Sequence, residues 1–368
     1  MAKKLRVGVV FGGESGEHEV SLAGAASVLA AIDRGRFEPV PIGITRQGRW
    51  LVGGDPLRAL AEEAARKALG EGGADASVKQ SLAVRAGDAA NATALQRMES
   101  SESLPPGLRE RLDVVFIMLH GPRGEDGTIQ GLLELAGLPY TGARVLASAV
   151  GMDKGAMKDM FRAHGLPVVE YLVIRRADWQ RDPAAVARVV AERIGFPCFV
   201  KPANLGSSVG ISKVKAAQDL SAAMTLAMAH DRRALVERAV QGREVEVAVL
   251  GNDTPMASLP GEVCYPGEWY DYETKYAAGQ TTFQVPAPLS PALTETVRDL
   301  ALRAFRAIDG AGMARVDFFI EGERALVNEI NTIPGFTATS AYPRLWEASG
   351  IPYSELISRI IDLALEKR

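Results

Sequence analysis

The stretch RVDFFIEGERALVNEINTIPG, Arg315–Gly335, holds two short apolar and β-branched runs, VDFFI and ALVNEI, on either side of a turn containing Gly322. Such runs read as the two strands of a hairpin. A three-residue loop with Glu321 paired to Ala325 sets Asp317 opposite Glu329 and Arg315 opposite Asn331. Strand side chains repeat with period two, so all of these then share one face. Directly opposed residues have Cβ atoms roughly 4.5–5.5 Å apart, and like charges so placed repel unless a cation lies between them. Two carboxylates and an amide, without His or Cys, are hard oxygen donors of the kind that suits Mg²⁺, which keeps waters and also binds substrate phosphates. The competing reading is a solvated hairpin face whose charges do no chemistry, and this hairpin taken alone leaves both open.

The rest of the chain limits what that face belongs to. Its 368 residues are 47% hydrophobic, which suits two or three domains with large cores. A formal net charge of −3 gives no bulk attraction to nucleic acid or to an anionic membrane, so small molecules are the expected partners. Cys198 and Cys264 show neither metal-ligand spacing nor a disulfide framework, which fits a reducing cytoplasm. The N-terminal MAKKLRVGVVFGGESGEHE has a short apolar run that meets glycines and acids, and it reads as a first strand rather than a signal segment. No apolar run approaches the roughly 20 residues of a membrane span.

LRVGVVFGG followed by a helical pattern from about Val20 to Ile32 opens an α/β domain. A second buried strand, DVVFIML, runs into His120 and the loop GPRGEDG, and ligands gather at such strand ends. Residues 51–112 drift into Ala, Gly and Ser and read as an insertion on the surface, disordered in part. From about Met152 a second unit follows, with the strand and loop FPCFVKPANLGSSVGISKV; Lys201 ends the strand, and the loop offers backbone amides and the hydroxyls of Ser207 and Ser208 to phosphates. GxxxxGK[ST] and GxGxxG are both absent. ALVERAVQGREVEVAVLG reads as two strands with a short connection, where backbone groups around Arg238 to Val240 suit a base and Glu237 or Glu244 a ribose. The long aromatic and polar segment PGEWYDYETKYAAGQTTFQVPAP, with Lys275 and Tyr276 near its tip, has the character of a lid.

Taken in order, FGGESGEHEVS, HGPRGEDGTIQG, YTG, MDK, VKPANLGSSVG, VERAV, YDYETKY, RVDFF and NEINTIPGFT resemble the D-alanine:D-alanine ligases of the ATP-grasp superfamily over all but residues 51–112. The resemblance implies an α/β, three-domain ATP-grasp fold: an N-terminal Rossmann-like α/β domain over 1–121, a central subdomain over 122–223, and a C-terminal catalytic domain over 224–368 with its lid at about 266–284. It implies ATP-dependent joining of two D-alanines through an acyl phosphate, for peptidoglycan, by a cytoplasmic homodimer that engages neither nucleic acid nor membrane.

The same resemblance implies the residue roles. Asp317, Glu329 and Asn331 hold two Mg²⁺, for which Mn²⁺ can substitute. Lys154, Lys201, Ser207, Ser208 and Lys275 contact phosphates, and Glu237, Ala239, Val240 and Glu244 contact adenosine. Glu17 binds the first D-alanine's ammonium near His120, Arg315 and the Gly335 amide stabilise the oxyanion, and Ser340 binds the second carboxylate. Glu17, Ser207 and Tyr276 form a network linking first domain, glycine loop and lid. Ala341 stands where the family pattern has a larger aliphatic residue. The alternatives are a D-alanine:D-lactate ligase or another ATP-grasp carboxylate ligase, separated by lid and substrate residues, and a non-catalytic nucleotide sensor, which has no need of Arg315, Tyr276 and Ser340.

Overall fold

In LRVGVVFG, Val7, Val9, Val10 and Phe11 of strand β1 (Leu5–Gly12) are all buried, whichever face they point to. A strand covered on both faces belongs in a parallel sheet flanked by helices. The computed structural model, which describes residues 3–70, 96–97, 104–206, 209–265 and 282–366, places it there. β1 pairs in parallel with β2 (Phe37–Ile44), while β3 (Trp50–Val52) and β4 (Gln96–Arg97) extend that edge antiparallel, and β5 (Val114–Met118) lies on the other side of β1.

The chain leaves β1 through Gly12 and Gly13, both at positive φ, and a Cβ on Gly12 would stand 2.2 Å from the Ile44 carbonyl oxygen. Ser21, in the helix His18–Ala31, accepts the Gly12 N–H at 2.8 Å and donates to the Met118 carbonyl. The turn bearing Glu17 is thereby tied to the C-terminal ends of both β1 and β5, the position where open α/β sheets bind ligands.

The segment expected as a surface insertion is buried at both ends. β3 and the helix Pro56–Gly70 bring Leu51, Val52, Leu57, Leu60 and Ala64 into the first core, and Leu108 and Leu112 join it from the far end. Leu57, Leu60 and Ala64 recur at helical spacing, which gives this helix an apolar face despite its high alanine content. Residues 71–95 and 98–103, between those ends, lie outside the described residues.

The second sheet is wholly antiparallel and contains β6 (Tyr171–Arg175), β7 (Cys198–Pro202), β8 (Ser212–Val214) and β9 (Arg233–Arg238), in the order β6-β9-β7-β8. Its core joins Val200, Val214 and Val236 to Val190, Leu220 and Met224 from two helices. The third sheet has β10 (Arg243–Gly251), β12 (Gly261–Cys264), β13 (Thr282–Gln284), β14 (Gly312–Glu321) and β15 (Arg324–Asn331), in the order β13-β12-β10-β14-β15, with β11 (Met256–Ala257) on β10. Val245, Val247, Val316 and Phe318 pack it on Val297 and Phe305 of the helix Pro291–Ala307.

Consecutive strands β9 and β10 thus sit in different sheets, and the change falls at residues 239–242. By strand pairing, β9, which follows the expected division between 223 and 224, belongs with the second sheet. Of the segment expected as a lid, residues 282–284 form β13 and 266–281 lie outside the described residues.

Candidate active site

β14 and β15 form the expected hairpin, with Arg315 opposite Asn331 and Asp317 opposite Glu329, by a different route. The loop has two residues, not three: Glu321 pairs with Arg324 around Gly322, at φ +61°, and Glu323. A two-residue loop with glycine in first place is a favoured hairpin geometry. Continued without interruption, it would set Asp317 against Asn328 and turn Glu329 into the core, because a one-residue slip exchanges the faces of a strand. A bulge at Asn328 absorbs the offset, since Phe318 pairs with Val327 and Asp317 with Glu329. Val327 and Ile330 accordingly both lie in the core. The bulged Asn328 carbonyl accepts a hydrogen bond from Lys158 Nζ at 3.0 Å.

On the open face, Glu246 of β10 lies opposite Asp317, so Glu246, Asp317 and Glu329 form one row across adjacent strands. The row is held together by cations. Arg315 donates from Nε and from a terminal nitrogen to the two Asp317 oxygens, each at 2.7 Å, and its Nε lies 3.4 Å from Glu246. Asn331 Nδ2 donates to Asp317 at 3.0 Å, and Lys154 Nζ lies 3.9 Å from Glu329. Burial opposes the charge on Arg315, but Asp317 and Glu246 outweigh it and raise the guanidinium pKa well above its ordinary value. Among the described residues no group of at least three His, Cys, Asp or Glu side chains is placed to hold a metal ion. Asp317, Glu329 and Asn331 instead supply a partial set of hard oxygens, which fits Mg²⁺ completed by phosphates and water. Arg315 and Lys154 supply the positive charge that this face needs without it.

The opposing wall comes from the second sheet. Lys201, near the end of β7, reaches Glu237 of β9 at 2.7 Å, and Lys158 reaches the other Glu237 oxygen at 2.5 Å. Glu237 is therefore buried beneath two ammonium groups rather than exposed at a sheet rim. Burial opposes its charge, yet the two lysines hold its pKa below the ordinary carboxylate value. The Lys201 pKa is raised because attraction to Glu237 overcomes burial, whereas for Lys158 burial prevails and lowers it. Lys154 donates to the Leu205 carbonyl at 2.7 Å, which ties the glycine loop to the helix Lys154–Ala163.

A cleft of about 1070 Å³ runs between these walls and reaches the first sheet, with Glu17, His120, Lys154, Lys201, Arg315 and Ser340 in its lining. Glu17 stands where three segments meet: a Cβ on Gly206 of the glycine loop would lie 3.3 Å from its Oε2, and one on Gly121 3.4 Å. His120 holds the Ile333 carbonyl through Nδ1 at 3.1 Å, leaving Nε2 without a hydrogen-bond partner among the described residues. Burial lowers the His120 pKa, although Glu17 and Ile333 oppose it. Glu125 accepts the Gly121 N–H at 2.6 Å, and burial followed by the charge of Glu17 raises its pKa to about 8. Ser340 accepts the Thr337 N–H at 3.0 Å, and a Cβ on Gly335 would lie 3.4 Å from its hydroxyl.

Ala239, Val240 and Glu244 line the same cleft. The Ala239 N–H is engaged by the Pro197 carbonyl at 3.1 Å, and Glu244 accepts from the Tyr265 hydroxyl at 2.7 Å. Ser207, Ser208, Lys275 and Tyr276 lie outside the described residues. Several cleft residues were missed from sequence. Glu246 follows Glu244 at strand period in REVEVAVL, but its place beside Asp317 depends on sheet order. Glu125 was visible in GPRGEDG, and Phe199 and Phe319 alternate with core residues on strands whose other cleft-facing residues were named.

An antiparallel sheet with lysines, set across one cleft from an antiparallel sheet with carboxylates, is the architecture of an ATP-grasp ligase. The sequence profiles agree: the D-ala D-ala ligase N-terminus matches residues 6–143 and the D-ala D-ala ligase C-terminus matches residues 160–362. The chain belongs to the D-alanine–D-alanine ligase family. A D-alanine–D-alanine ligase from Deinococcus radiodurans is 47% identical over 369 residues, covering 99% of this chain and 100% of the relative. One from Geobacillus kaustophilus is 46% identical over 365 residues, covering 99% and 95%. Among solved structures, the D-alanine–D-alanine ligase from Coxiella burnetii has a TM-score of 0.77 at 36% identity, covering 99% of this chain and 94% of that one. The VanG D-Ala:D-Ser ligase from Enterococcus faecalis has a TM-score of 0.79 at 30% identity, covering 99% and 100%.

Proposed function

We propose that this chain joins two D-alanines to D-alanyl-D-alanine at the expense of ATP, for peptidoglycan synthesis. The observation that carries the site assignment is the meeting, in one cleft, of the Asp317–Glu329 face, the Lys201 wall and the Glu17–Ser340 end. A carboxylate is a poor electrophile because its leaving group would be an oxide, so it needs activation. A carboxylate oxygen of the first D-alanine attacks the γ-phosphorus of ATP; a P–O bond forms as the bond to ADP breaks, giving an acyl phosphate. The amine of the second D-alanine then attacks the acyl carbon, loses a proton, and expels phosphate.

This chain's part is positioning and charge compensation, the main catalytic work in phosphoryl transfer. Glu17 with His120 binds the first ammonium, Ser340 the second carboxylate, and Arg315 with the Gly335 N–H the tetrahedral oxyanion. Lys154 and Lys201 draw in phosphates, Val240 and the carbonyl of Ala239 meet the base, Glu244 meets the ribose, and Glu237 contacts adenosine while it anchors the lysines. Asp317, Glu329 and Asn331 would hold two Mg²⁺, which neutralise charge on the transferring phosphoryl group. Ser207, Ser208, Lys275 and Tyr276 complete the site by family resemblance, with a lid over 266–284 that excludes water. The domain division is N-terminal to 121, then a central unit, then a C-terminal unit. Among the described residues no helix is long and apolar enough to cross a membrane, and the proposed setting is a cytoplasmic homodimer.

The test is ADP release with D-alanine, L-alanine, D-lactate, D-serine or no amino acid, with products identified by mass. The expected result is D-alanine-dependent release yielding D-alanyl-D-alanine. Release that ignores the amino acid, or ester as the main product in D-alanine and D-lactate mixtures, would contradict the proposal.

A further inference from the structure

Arg315 stands at a conflict that this cleft must resolve. Its guanidinium takes both Asp317 oxygens at 2.7 Å, the geometry of a bidentate arginine–carboxylate pair. A cation bound through Asp317 shares at least one of those oxygens, and its charge repels the guanidinium and draws on the same carboxylate charge, so it weakens the hold of Asp317 on Arg315. The same Arg315 has to keep its place, because a fixed cation is what an oxyanion site requires. Released from Asp317 with nothing else to hold it, a long side chain regains rotamers and the site loses its preorganisation.

Glu246 answers this. It is buried in β10 directly opposite Asp317, on the side away from Glu329, and its carboxylate lies 3.4 Å from Arg315 Nε. Arg315 therefore sits between two acids of one row, of which Asp317 alone is next to the Glu329 and Asn331 side chains. We propose that Glu246 is a positioning residue that retains Arg315 when Asp317 turns to the metal, so that metal binding and oxyanion placement cease to compete. The inference rests on the ligase reading above and adds to it a hand-over between two carboxylates.

A signed consequence separates this from a general field effect. Without the Glu246 charge, Arg315 has Asp317 as its main anion and holds it more tightly, so Mg²⁺ has to displace a better-bound competitor. Binding of a nonhydrolysable ATP analogue, followed by calorimetry during Mg²⁺ titration without amino acid, reads this with no turnover. Glu246→Gln should raise the Mg²⁺ concentration for half-maximal nucleotide binding on the order of tenfold, the scale of a charge-assisted hydrogen bond. Arg315→Met should lower it, and in the Arg315→Met background Glu246→Gln should change it less than twofold. Glu246→Asp, which keeps the charge at shorter reach, should fall between wild type and Glu246→Gln and covers the case in which the amide variant fails to fold. Equal shifts from Glu246→Gln with and without Arg315, or no shift in either background, would overturn the hand-over. Wild-type protein that fails to bind the nucleotide with Mg²⁺ would instead overturn the ligase reading, and this inference with it.

Discussion

Glu237 in the second sheet and Asp317 in the third both hold cations in the cleft walls, on different terms. Lys158 and Glu237 form a sealed pair, with side chains 1% and 2% exposed, and Lys201 adds a second ammonium from the cleft side. Arg315 and Asp317 are 19% and 15% exposed, and the amide of Asn331 shares the carboxylate. Removing Glu237 from this sealed pair would leave Lys158 uncompensated with no access to water, so that arrangement is structural. The Asp317 arrangement is open to the cleft, and its cation can be exchanged for a ligand. The two are also mechanically joined: Lys158 binds Glu237 and the bulged Asn328 carbonyl, and the bulge is what turns Glu329 toward Asp317. A fixed ion pair therefore supports an exchangeable one.

The largest effect should come from the exchangeable side, on activity alone. Asp317→Asn or Glu329→Gln should lower ligation about a thousandfold, equivalent to about 4 kcal/mol of barrier. The ligand-free protein should lose little stability, because Arg315 keeps Glu246 when Asp317 becomes an amide and the opposed pair no longer carries two negative charges. Steady-state rates beside thermal unfolding check this, and a large loss of melting temperature in either variant would break the distinction between the two pairs. On the fixed side, Lys158→Met should destabilise the ligand-free protein by about 3 kcal/mol, because Lys201 still compensates Glu237 but the Asn328 carbonyl loses its donor. Denaturant unfolding would show it, and unchanged stability would mean that the buried pair is not structural.

A pH-dependent effect concerns Glu125, which shares its end of the cleft with Glu17, His120 and Arg315. Its carboxyl pKa rises from 4.5 to about 8 on folding. Between those pH values the folded protein keeps a proton that the unfolded chain has released, so this group's contribution to stability falls as pH rises. It is intact below 4.5 and fully lost above about 8. Glu125→Gln should therefore gain on wild type in urea midpoint from pH 5 to pH 8.5; a constant difference would show that Glu125 ionises normally.

Legibility from sequence followed the range of the interactions. Period two and Gly322 made the β14–β15 hairpin readable, and the pairs Asp317–Glu329 and Arg315–Asn331 came out as observed although the assumed loop was one residue too long. The bulge compensated, and nothing in ALVNEI marks it, because its partner is Lys158, distant in the chain. Leu57, Leu60 and Ala64 carried a helical pattern that alanine-rich surroundings obscured, so a core helix passed for surface. The break between β9 and β10 and the seat of Glu246 depend on which strands become neighbours, and that is fixed by long-range packing rather than by local pattern.

The most direct test of the account follows the oxygen atoms. D-alanine labelled with ¹⁸O in its carboxylate, incubated with this protein, ATP and Mg²⁺, should yield phosphate carrying one labelled oxygen per D-alanyl-D-alanine formed, because the donor's carboxylate oxygen leaves with the phosphoryl group. Phosphate without label, released in step with ADP, would mean that water rather than the amino acid attacks ATP, and would contradict ligation through an acyl phosphate in this cleft.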